Sequence, residues 1–475
     1  MSTTSQASQR INALLDENSF VEIGGLVTAR ATDFNLKQTE TPSDGVVTGY
    51  GVIDGSLVYV YSQDASVLNG SVGEMHAKKI VNLYNLAMKM GAPVIGLIDS
   101  AGLRLQEATD ALNGFGEIYK SQVMASGVIP QITAVFGSCG GGLALIPAMS
   151  DFAFMEEKKA KLFVNSPNAL EGNEISRCDT SAAAFQSEET GLIDMVADEA
   201  SILSQIRQLV SILPANNADY ALTDCTDDLN RACAQIAGCV GDTAIALSQI
   251  ADDGLFVEVK QDYAKDMAAG FIRLNGATVG AVANRTEVYN EDGEVVDKFD
   301  AVLSARGAEK AAEFVNFCDA FDIPVLSLTN VTGFAANKCS EKRMAKAVGR
   351  LTYAFANATV PKVNVVIGKA YGSAYVAMNS KAVGADITMA WPDAQIGMMD
   401  AKLAAKIICD GQGSEAIDAC AKEYEALQNN VTSAAKRGYV DQIVEPADTR
   451  KYVIGAFEML AAKSEGRPEK KHGTV

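Results

Sequence analysis

The sequence predicts an α/β fold made of two tandem copies of one domain. Residues 92–99 and 323–330 read alike, and Pro324 follows Pro93 by 231 positions. Self-similarity at one fixed offset indicates an internal repeat. We therefore expect two domains, 1–225 and 226–475, joined near the polar stretch Pro214–Asp228. The same offset of 231 relates Gly102 to Gly333, Pro130 to Pro361, Gly137 to Gly368 and Gly141 to Gly372.

Within each copy, apolar runs of strand length alternate with helical patterns. Val94–Ile98 and Ile132–Phe136 are bounded by Gly or Pro and predict strands, whereas Met75–Met90 has apolar residues at three- and four-residue steps and predicts a helix. This alternation favours mainly parallel sheets in layered α/β domains. Asp54–Gly55 and Asn275–Gly276, each between strand-like runs, predict hairpin turns.

The composition describes a globular protein and excludes some functions. Of the 475 residues, 48% are apolar and 21% charged, so each half has enough apolar side chains for its own core. A formal charge of -19 argues against binding to a nucleic-acid backbone, which needs a basic face. No secretory signal and no apolar run of about 20 residues is evident. Nine cysteines without C-x-x-C spacing favour a reducing, cytoplasmic location.

Ionisable residues with acid/base or metal-ligand spacing are scarce. The two histidines are His76 and His472, and the second lies in the charged tail. This argues against a Ser-His-Asp triad and a histidine-built zinc site, so we predict no metal. The remaining charged residues considered are expected to be solvated or ion-paired: Asp64, Lys78, Lys79 and Glu107.

Two glycine-rich turns carry the strongest indication of chemistry. Residues 137–143 and 368–375 each follow a strand-like run and precede a helical pattern. A glycine turn at a helix start leaves backbone N–H groups free and aims them, with the helix dipole, at one point. Close helix-on-strand packing would also require glycine. A phosphate cradle fits less well, because neither turn has the G-x-x-x-x-G-K-[ST] or G-x-G-x-x-G pattern. A pair of oxyanion holes explains why the turn is duplicated.

The chain resembles the carboxyltransferase family that includes propionyl-CoA carboxylase β subunits, the transcarboxylase core and the α subunits of sodium-pumping acyl-CoA decarboxylases. The resemblance runs from Arg10 to Asp441. It implies two tandem crotonase-like (ClpP/crotonase) α/β domains and a homo-oligomer, often a hexamer, with each active site between the N-domain of one subunit and the C-domain of another. The segments that carry it are Asp44–Gly49, Gly91–Leu97, Ala125–Ile132, Phe317–Phe321 and Ala390–Pro392.

The resemblance also implies a reaction. Moving CO2 between the α-carbon of an acyl thioester and N1 of biotin passes through two enolates, each with charge on oxygen, and two oxyanion holes answer that need. By resemblance, the N–H groups of Gly141 and Gly142 hold the acyl-CoA thioester oxygen, and those of Ser373 and Ala374 hold the ureido oxygen of biotin. No side-chain base is required.

Further residues are assigned to substrate binding by the same resemblance. Ser71 and Gly73 match a turn near bound CoA, and the backbone around Gly102 is expected near the CoA arm. An ordinary loop and helix start would explain these residues equally well. Gly140, Gly372 and Val376 complete the expected substrate-binding set.

A tetrapeptide typical of biotinylated lysines occurs at Ala87–Met90, but we do not assign Lys89 as biotinylated. In a biotin domain that lysine lies on a hairpin, whereas here it ends a helical pattern just before Gly91. Biotin is therefore expected on a separate carboxyl carrier protein. This implies as a further partner either a biotin carboxylase or a membrane decarboxylase subunit.

The sequence departs from the family in one segment, since Val331–Phe334 continues into a shortened, charged stretch, Asn337–Arg343, and at three positions. Ser373 replaces a glycine, Val376 replaces an aspartate, and Gln186 stands where a histidine is usual. Serine keeps its N–H but restricts φ. A different acyl-CoA or the decarboxylation direction is therefore open. So are a crotonase-like hydratase or hydrolase, which would need a carboxylate beside the first oxyanion hole, and a scaffold that has lost the site.

Overall fold

The structure, a computed structural model, describes residues 5–30 and 40–468. Contacts along the chain separate two units, Met1–Ala221 and Leu222–Val475, whereas the sequence placed the boundary after residue 225. His472, which was placed in the charged tail, lies outside the described residues.

Unit 1 is a mixed sheet flanked by helices. In its described residues the sheet has 8 strands, in the order β1-β2-β3-β4-β5-β6-β8, and β7 pairs with β5. The strands are β1 (Val21–Glu22), β2 (Val46–Ile53), β3 (Ser56–Gln63), β4 (Val94–Ser100), β5 (Gln131–Gly140), β6 (Phe152–Glu156), β7 (Lys161–Phe163) and β8 (Met195–Ala197). The helices are α1 (Gln6–Leu14), α2 (Glu74–Met90), α3 (Ala108–Ala125), α4 (Leu145–Ala148) and α5 (Glu199–Ile212).

Unit 2 has a second 8-stranded sheet in its described residues. The strands are β9 (Phe256–Glu258), β10 (Met267–Leu274), β11 (Ala277–Asn284), β12 (Glu287–Tyr289), β13 (Val295–Lys298), β14 (Val325–Val331), β15 (Lys362–Tyr371), β16 (Ile387–Ala390), β17 (Gln395–Gly397) and β18 (Gln442–Ile443), of which β12 and β13 form a separate ribbon. The helices are α6 (Thr243–Ile250), α7 (Ala305–Ala320), α8 (Lys338–Asn357), α9 (Gly372–Ala377), α10 (Ala401–Ile408), α11 (Ser414–Tyr424), α12 (Val431–Lys436) and α13 (Thr449–Leu460).

The two sheets share strand order, direction and register. The second runs β9-β10-β11-β14-β15-β16-β18 with β17 on β15, so each strand has a counterpart in the first. In both sheets the first three strands are antiparallel and the following ones parallel. Val94 pairs with Gln131, and Val325 pairs with Lys362, so the offset of 231 holds on both strands. The predicted mixed α/β fold with parallel sheets is confirmed.

The predicted hairpin turns join β2 to β3 and β10 to β11. Ile53 pairs with Ser56, and Leu274 pairs with Ala277, which leaves two residues in each loop. Both loop residues have positive φ, 49° and 81° at Asp54 and Gly55. That is the geometry for which Asn-Gly and Asp-Gly loops are favoured.

The predicted helix at Met75–Met90 is α2, which begins one residue earlier, at Glu74. Its apolar stripe is buried in the core of unit 1, as the three- and four-residue spacing predicted. Gly91 ends the helix in a left-handed conformation, with φ 61°. Lys89 therefore lies in the last turn of a helix. No helix in the described ranges is long and apolar enough to cross a membrane.

Candidate active site

The first glycine-rich turn begins where β5 ends. Gly141 and Gly142 open the helical turn Gly141–Ala144, so their N–H groups have no acceptor in a preceding turn of that helix. Gly141 has φ 64°, a conformation that residues with a Cβ rarely adopt. A Cβ built there would meet nothing within 4 Å, so the space over Gly141 is open. Backbone conformation, and not packing, therefore requires glycine at this position.

Packing explains the glycines on either side. A Cβ at Gly140 would lie 2.7 Å from the Phe163 ring, and one at Gly142 would lie 2.9 Å from the Tyr119 hydroxyl. Tyr119 donates a hydrogen bond to the Gly142 carbonyl at 2.5 Å. Burial raises the pKa of Tyr119, which keeps it a donor. Side chains from β7 and α3 thus pack against Gly140 and Gly142, whereas the space beside Gly141 is open.

The second turn has the same backbone form at the end of β15. Gly372 opens α9 with φ 60°, and a Cβ there would lie 3.1 Å from the Met398 carbonyl oxygen. Among the described residues of this turn, Gly372 carries the positive φ, so Ser373 is not forced into a strained conformation. The concern that serine restricts φ at this position is therefore resolved. Ser373 and Ala374 are the second and third residues of the helix, where N–H groups are also free.

The strands leading into both turns are matched in their side-chain packing. A Cβ at Gly137 would lie 2.0 Å from Asp99 Oδ1, and one at Gly368 would lie 2.6 Å from Asn330 Oδ1. Asn330 also accepts a hydrogen bond from the Lys369 N–H at 3.0 Å. The repeat offset relates Asp99 to Asn330, so their supporting role was detectable in the sequence, although it was not assigned there.

Ser71 and Gly73 lie against a buried ion cluster centred on Arg104. Arg104 donates to the Ser71 side chain at 3.3 Å and to its carbonyl at 2.7 Å, and a Cβ at Gly73 would lie 2.4 Å from this guanidinium. Arg104 is paired with Asp44 at 2.7 Å and Glu107 at 2.8 Å. Burial raises the pKa of Asp44, although Arg104 acts against that rise. The ion pairing expected for Glu107 is confirmed.

Lys79 lies in the same region, is buried, and has no ion-pair partner among residues 5–30 and 40–468, so the expectation that it is solvated or ion-paired was wrong. Its ammonium group donates to the carbonyls of Ser43, at 3.0 Å, and Val46, at 2.5 Å. The adjacent Lys78 is exposed and pairs with Glu74 at 2.6 Å, as expected.

Gly102 connects this region to the first turn. It has φ 94°, and a Cβ there would lie 3.6 Å from the Gly140 carbonyl oxygen. Its own carbonyl accepts from the Val72 N–H at 2.8 Å. The structure thus brings Gly102 and Gly140 together and links both to the start of α2. In unit 2, Val376 is 40% exposed on α9, one turn after Gly372.

Two buried titratable groups of unit 1, His76 and Cys139, are unsuited to acid or base catalysis. Burial lowers the pKa of His76 to about 3, so the ring is neutral, and its Nδ1 lies 3.0 Å from the Asp44 carbonyl. Burial raises the pKa of Cys139 far above its usual range. The carboxylates shown around Gly73, Asp44 and Glu107, are occupied by Arg104. The turns themselves present backbone N–H groups that could bind an anion.

The fold and these turns define a mixed α/β protein with a duplicated helix-start turn. The family model described as "Carboxyl transferase domain" matches residues 4–475. The chain belongs to the carboxyl transferase family.

Three similar proteins illustrate the family. The propionyl-CoA carboxylase beta chain of Roseobacter denitrificans is 40% identical, over 99% of this chain and 93% of the relative. The methylmalonyl-CoA decarboxylase subunit alpha of Propionigenium modestum is 38% identical, over 99% and 92%. The solved structure of the transcarboxylase 12S hexamer with methylmalonyl-coenzyme A and methylmalonic acid bound matches with a TM-score of 0.92 at 37% identity, covering 98% of this chain and 92% of that one.

Proposed function

We propose that this chain transfers a carboxyl group between the α-carbon of a short acyl-CoA and N1 of biotin carried on a separate carrier protein. The observation that carries the proposal is the pair of helix-start turns, with φ 64° at Gly141 and 60° at Gly372, at equivalent positions of two sheets. In the reaction one C–CO2 bond breaks, one N–CO2 bond forms, and the proton of biotin N1 passes to the α-carbon. Negative charge develops on the thioester oxygen and on the ureido oxygen.

Each turn is assigned to one of these oxygens. Gly141 and Gly142 donate their N–H groups to the thioester oxygen, with Ser71, Gly73, Gly102 and Gly140 forming the surrounding acyl-CoA site. Ser373 and Ala374 donate to the ureido oxygen beside Gly372 and Val376. Preorganised donors of this kind contribute about 3 to 4 kcal/mol each to lowering a barrier. The domains that carry them are proposed to be crotonase-like, because each adds parallel strands to an antiparallel hairpin and ends its central strand at a glycine turn.

The proposal covers both directions of transfer, carboxylation and decarboxylation of the acyl-CoA. Relatives named as a carboxylase and as a decarboxylase are 40% and 38% identical, a difference too small to favour either. The acyl-CoA is proposed to be of the propionyl/methylmalonyl or acetyl/malonyl type, with methylmalonyl-CoA favoured because the transcarboxylase 12S core is described with it bound. The further partner is then a biotin carboxylase or a membrane decarboxylase subunit.

We also propose that the chain works as a homo-oligomer, with a hexamer as the expected form. The solved neighbour is described as a hexamer, and this chain exposes large apolar side chains on helices, a feature of interaction surfaces. They include Leu112, Val123 and Met124 on α3, and Ile407 and Ile408 on α10. Because its nine cysteines are free, we also propose a reducing, cytoplasmic location for the chain.

The test is decarboxylation supported by free biotin. The purified chain is incubated with methylmalonyl-, malonyl- or glutaconyl-CoA, with and without biotin, and CO2 and the shortened acyl-CoA are measured. Release that requires biotin is the expected result. Release at the same rate without biotin would assign the chain to a biotin-independent decarboxylase. Free CoA without CO2 would assign it to a crotonase-like hydrolase, and no turnover of any of the three would overturn the proposal.

A further inference from the structure

Helix α8 carries a row of basic residues on one face. Lys338, Lys342, Lys346 and Arg350 follow at four-residue intervals, which places them on the same side of the helix, and all four are exposed. Within residues 5–30 and 40–468 none of these four side chains has an ion-pair partner. The neighbouring Arg343, by contrast, pairs with Glu309.

This row is unusual for the chain and is not a feature of the repeat. The protein has a formal charge of -19, so an exposed cluster of one positive sign runs against its overall charge. The helix in the corresponding place of unit 1, α3, exposes Asp110, Glu117 and Lys120, which together carry one negative charge. The basic row on α8 therefore has no counterpart on α3 of unit 1.

The row begins at the same edge of the sheet as the second turn. Strands β14 and β15 are parallel, so the chain leaves both at one edge, towards α8 after β14 and towards Gly372 after β15. Helix α8 packs against α9, which Gly372 opens. Asn330 at the end of β14 accepts a hydrogen bond from Lys369 on β15 at 3.0 Å, which ties the two segments together.

An aromatic side chain lies at the start of this row. Phe334, in the connection from β14 to α8, is 37% exposed and precedes Lys338 by one helical turn's length of sequence. Partly exposed aromatic residues are enriched among the anchors of protein interfaces. The basic face, defined as Phe334, Lys338, Lys342, Lys346 and Arg350, thus combines an apolar anchor with unpaired positive charge.

Resting on the proposed function, we infer that the basic face binds an acidic surface of the protein that carries biotin. An acidic partner would be repelled by the net charge of the chain and attracted only where the local charge is positive. The basic face therefore both speeds its approach and selects α8 as the place where it docks. Docking at the Lys338 end of the face brings the carrier to the edge at which Gly372 lies.

The test compares two fluorescent peptides that contain biotinyl-lysine. In one the flanking residues are aspartates, and in the other they are asparagines. Binding to the whole chain is measured by fluorescence anisotropy, which does not require turnover. On overall charge alone the acidic peptide would bind more weakly. The basic face predicts the opposite sign, with the acidic peptide binding about ten-fold more tightly at low salt and the preference shrinking as salt screens the charges.

Two variants with the same change in charge locate the effect. The first is K338E/K342E/K346E/R350E. The control, K402E/K406E/K422E/K436E, reverses exposed lysines on α10, α11 and α12 of the same unit. The first variant is expected to lose the preference for the acidic peptide, and the control to keep it. Circular dichroism and the thermal midpoint check that both remain folded.

Several results would overturn the inference. One is that the unmodified chain binds both peptides equally, and another is that both variants lose the preference for the acidic peptide to the same extent. A third is that the first variant binds acyl-CoA more weakly and the peptides as before, which would make the basic face a phosphate site. Tighter binding of a single-stranded DNA of similar charge would assign it to nucleic acid. Failure of biotin-dependent decarboxylation, with the peptide preference intact, would instead remove the proposed function alone.

Discussion

At the scale of single residues, the backbone conformation at Gly141 and Gly372 explains why both positions are glycine. Both adopt left-handed backbone conformations, with φ 64° and 60°, at the first residue of a helix. That conformation costs about 1–2 kcal/mol for a residue with a Cβ. Glycine makes the turn accessible, and the turn exposes the N–H groups that follow. The residue after it does not need a positive φ, so Ser373 fits the second turn without backbone strain, whereas at Gly142 it is packing against Tyr119 that requires glycine.

Substitution of these neighbours separates backbone from side-chain donation. We expect Gly372→Ala to lower kcat/KM for free biotin by about 10- to 100-fold, because strain at φ 60° displaces the donors. Ser373→Ala keeps its N–H and is expected to change kcat/KM by less than about three-fold. Steady-state kinetics with free biotin measure both. An equal loss in the two variants would mean that the Ser373 hydroxyl is the donor.

His76 gives a prediction for pH. Its pKa is about 3 in the folded chain and about 6.5 when unfolded, so below pH 6.5 the unfolded state takes up a proton that the folded state does not. The contribution to the free energy of unfolding is complete above pH 6.5 and is lost as pH falls towards 3, by about 1.4 kcal/mol per pH unit. Denaturation of His76→Gln at several pH values should show a correspondingly shallower acid dependence. Identical slopes in the two proteins would contradict this.

At the scale of elements, a buried lysine anchors helix α2, and a second one anchors helix α7 in the same way. Lys79 on α2 donates to two carbonyls three residues apart, and Lys310 on α7 does so too, to Lys260 at 2.8 Å and Tyr263 at 3.0 Å. Burial lowers the pKa of each lysine to about 8. These helices also begin equivalently, since the bridges Val72–Leu103 and Leu303–Phe334 are related by the offset of 231.

Removing one of these ammonium groups should destabilise its unit. Lys79→Met and Lys310→Met each leave buried carbonyls without a donor, and we expect each to lower the free energy of unfolding by about 2–3 kcal/mol. Lys78→Met removes only an exposed pair with Glu74 and is expected to leave the free energy of unfolding nearly unchanged. Urea denaturation compares them. A Lys79→Met protein as stable as Lys78→Met would refute the structural role.

Sequence reasoning found the elements that depend on local pattern and missed those that depend on tertiary burial. The repeat offset, the hairpins, helix α2 and the two turns were predicted, because glycine spacing and apolar periodicity report directly on backbone geometry. The burial of Lys79 was not predicted, since a lysine on a helix reads as solvated unless its surroundings are known. The matching lysine at position 310, one repeat later, was an available signal. The Arg104 cluster has no such signature in the sequence.

At the scale of the whole molecule, the same domain architecture occurs twice, and the two copies differ in detail. The sheets agree in order, direction and register, and each unit has its own apolar core. The differences lie around the turns. Unit 1 surrounds Gly141 with Gly140, Gly142 and Gly102, whereas unit 2 has Ser373, the exposed Val376 and the basic face on α8. We attribute this divergence to two different substrates.

A crystal structure of the chain with propionyl-CoA and biotin bound tests that attribution most directly. The account predicts the thioester oxygen about 2.7–3.1 Å from the nitrogens of Gly141 and Gly142, and the ureido oxygen at the same distance from those of Ser373 and Ala374. Both ligands at one turn, or a thioester oxygen held by a side chain away from either turn, would contradict it.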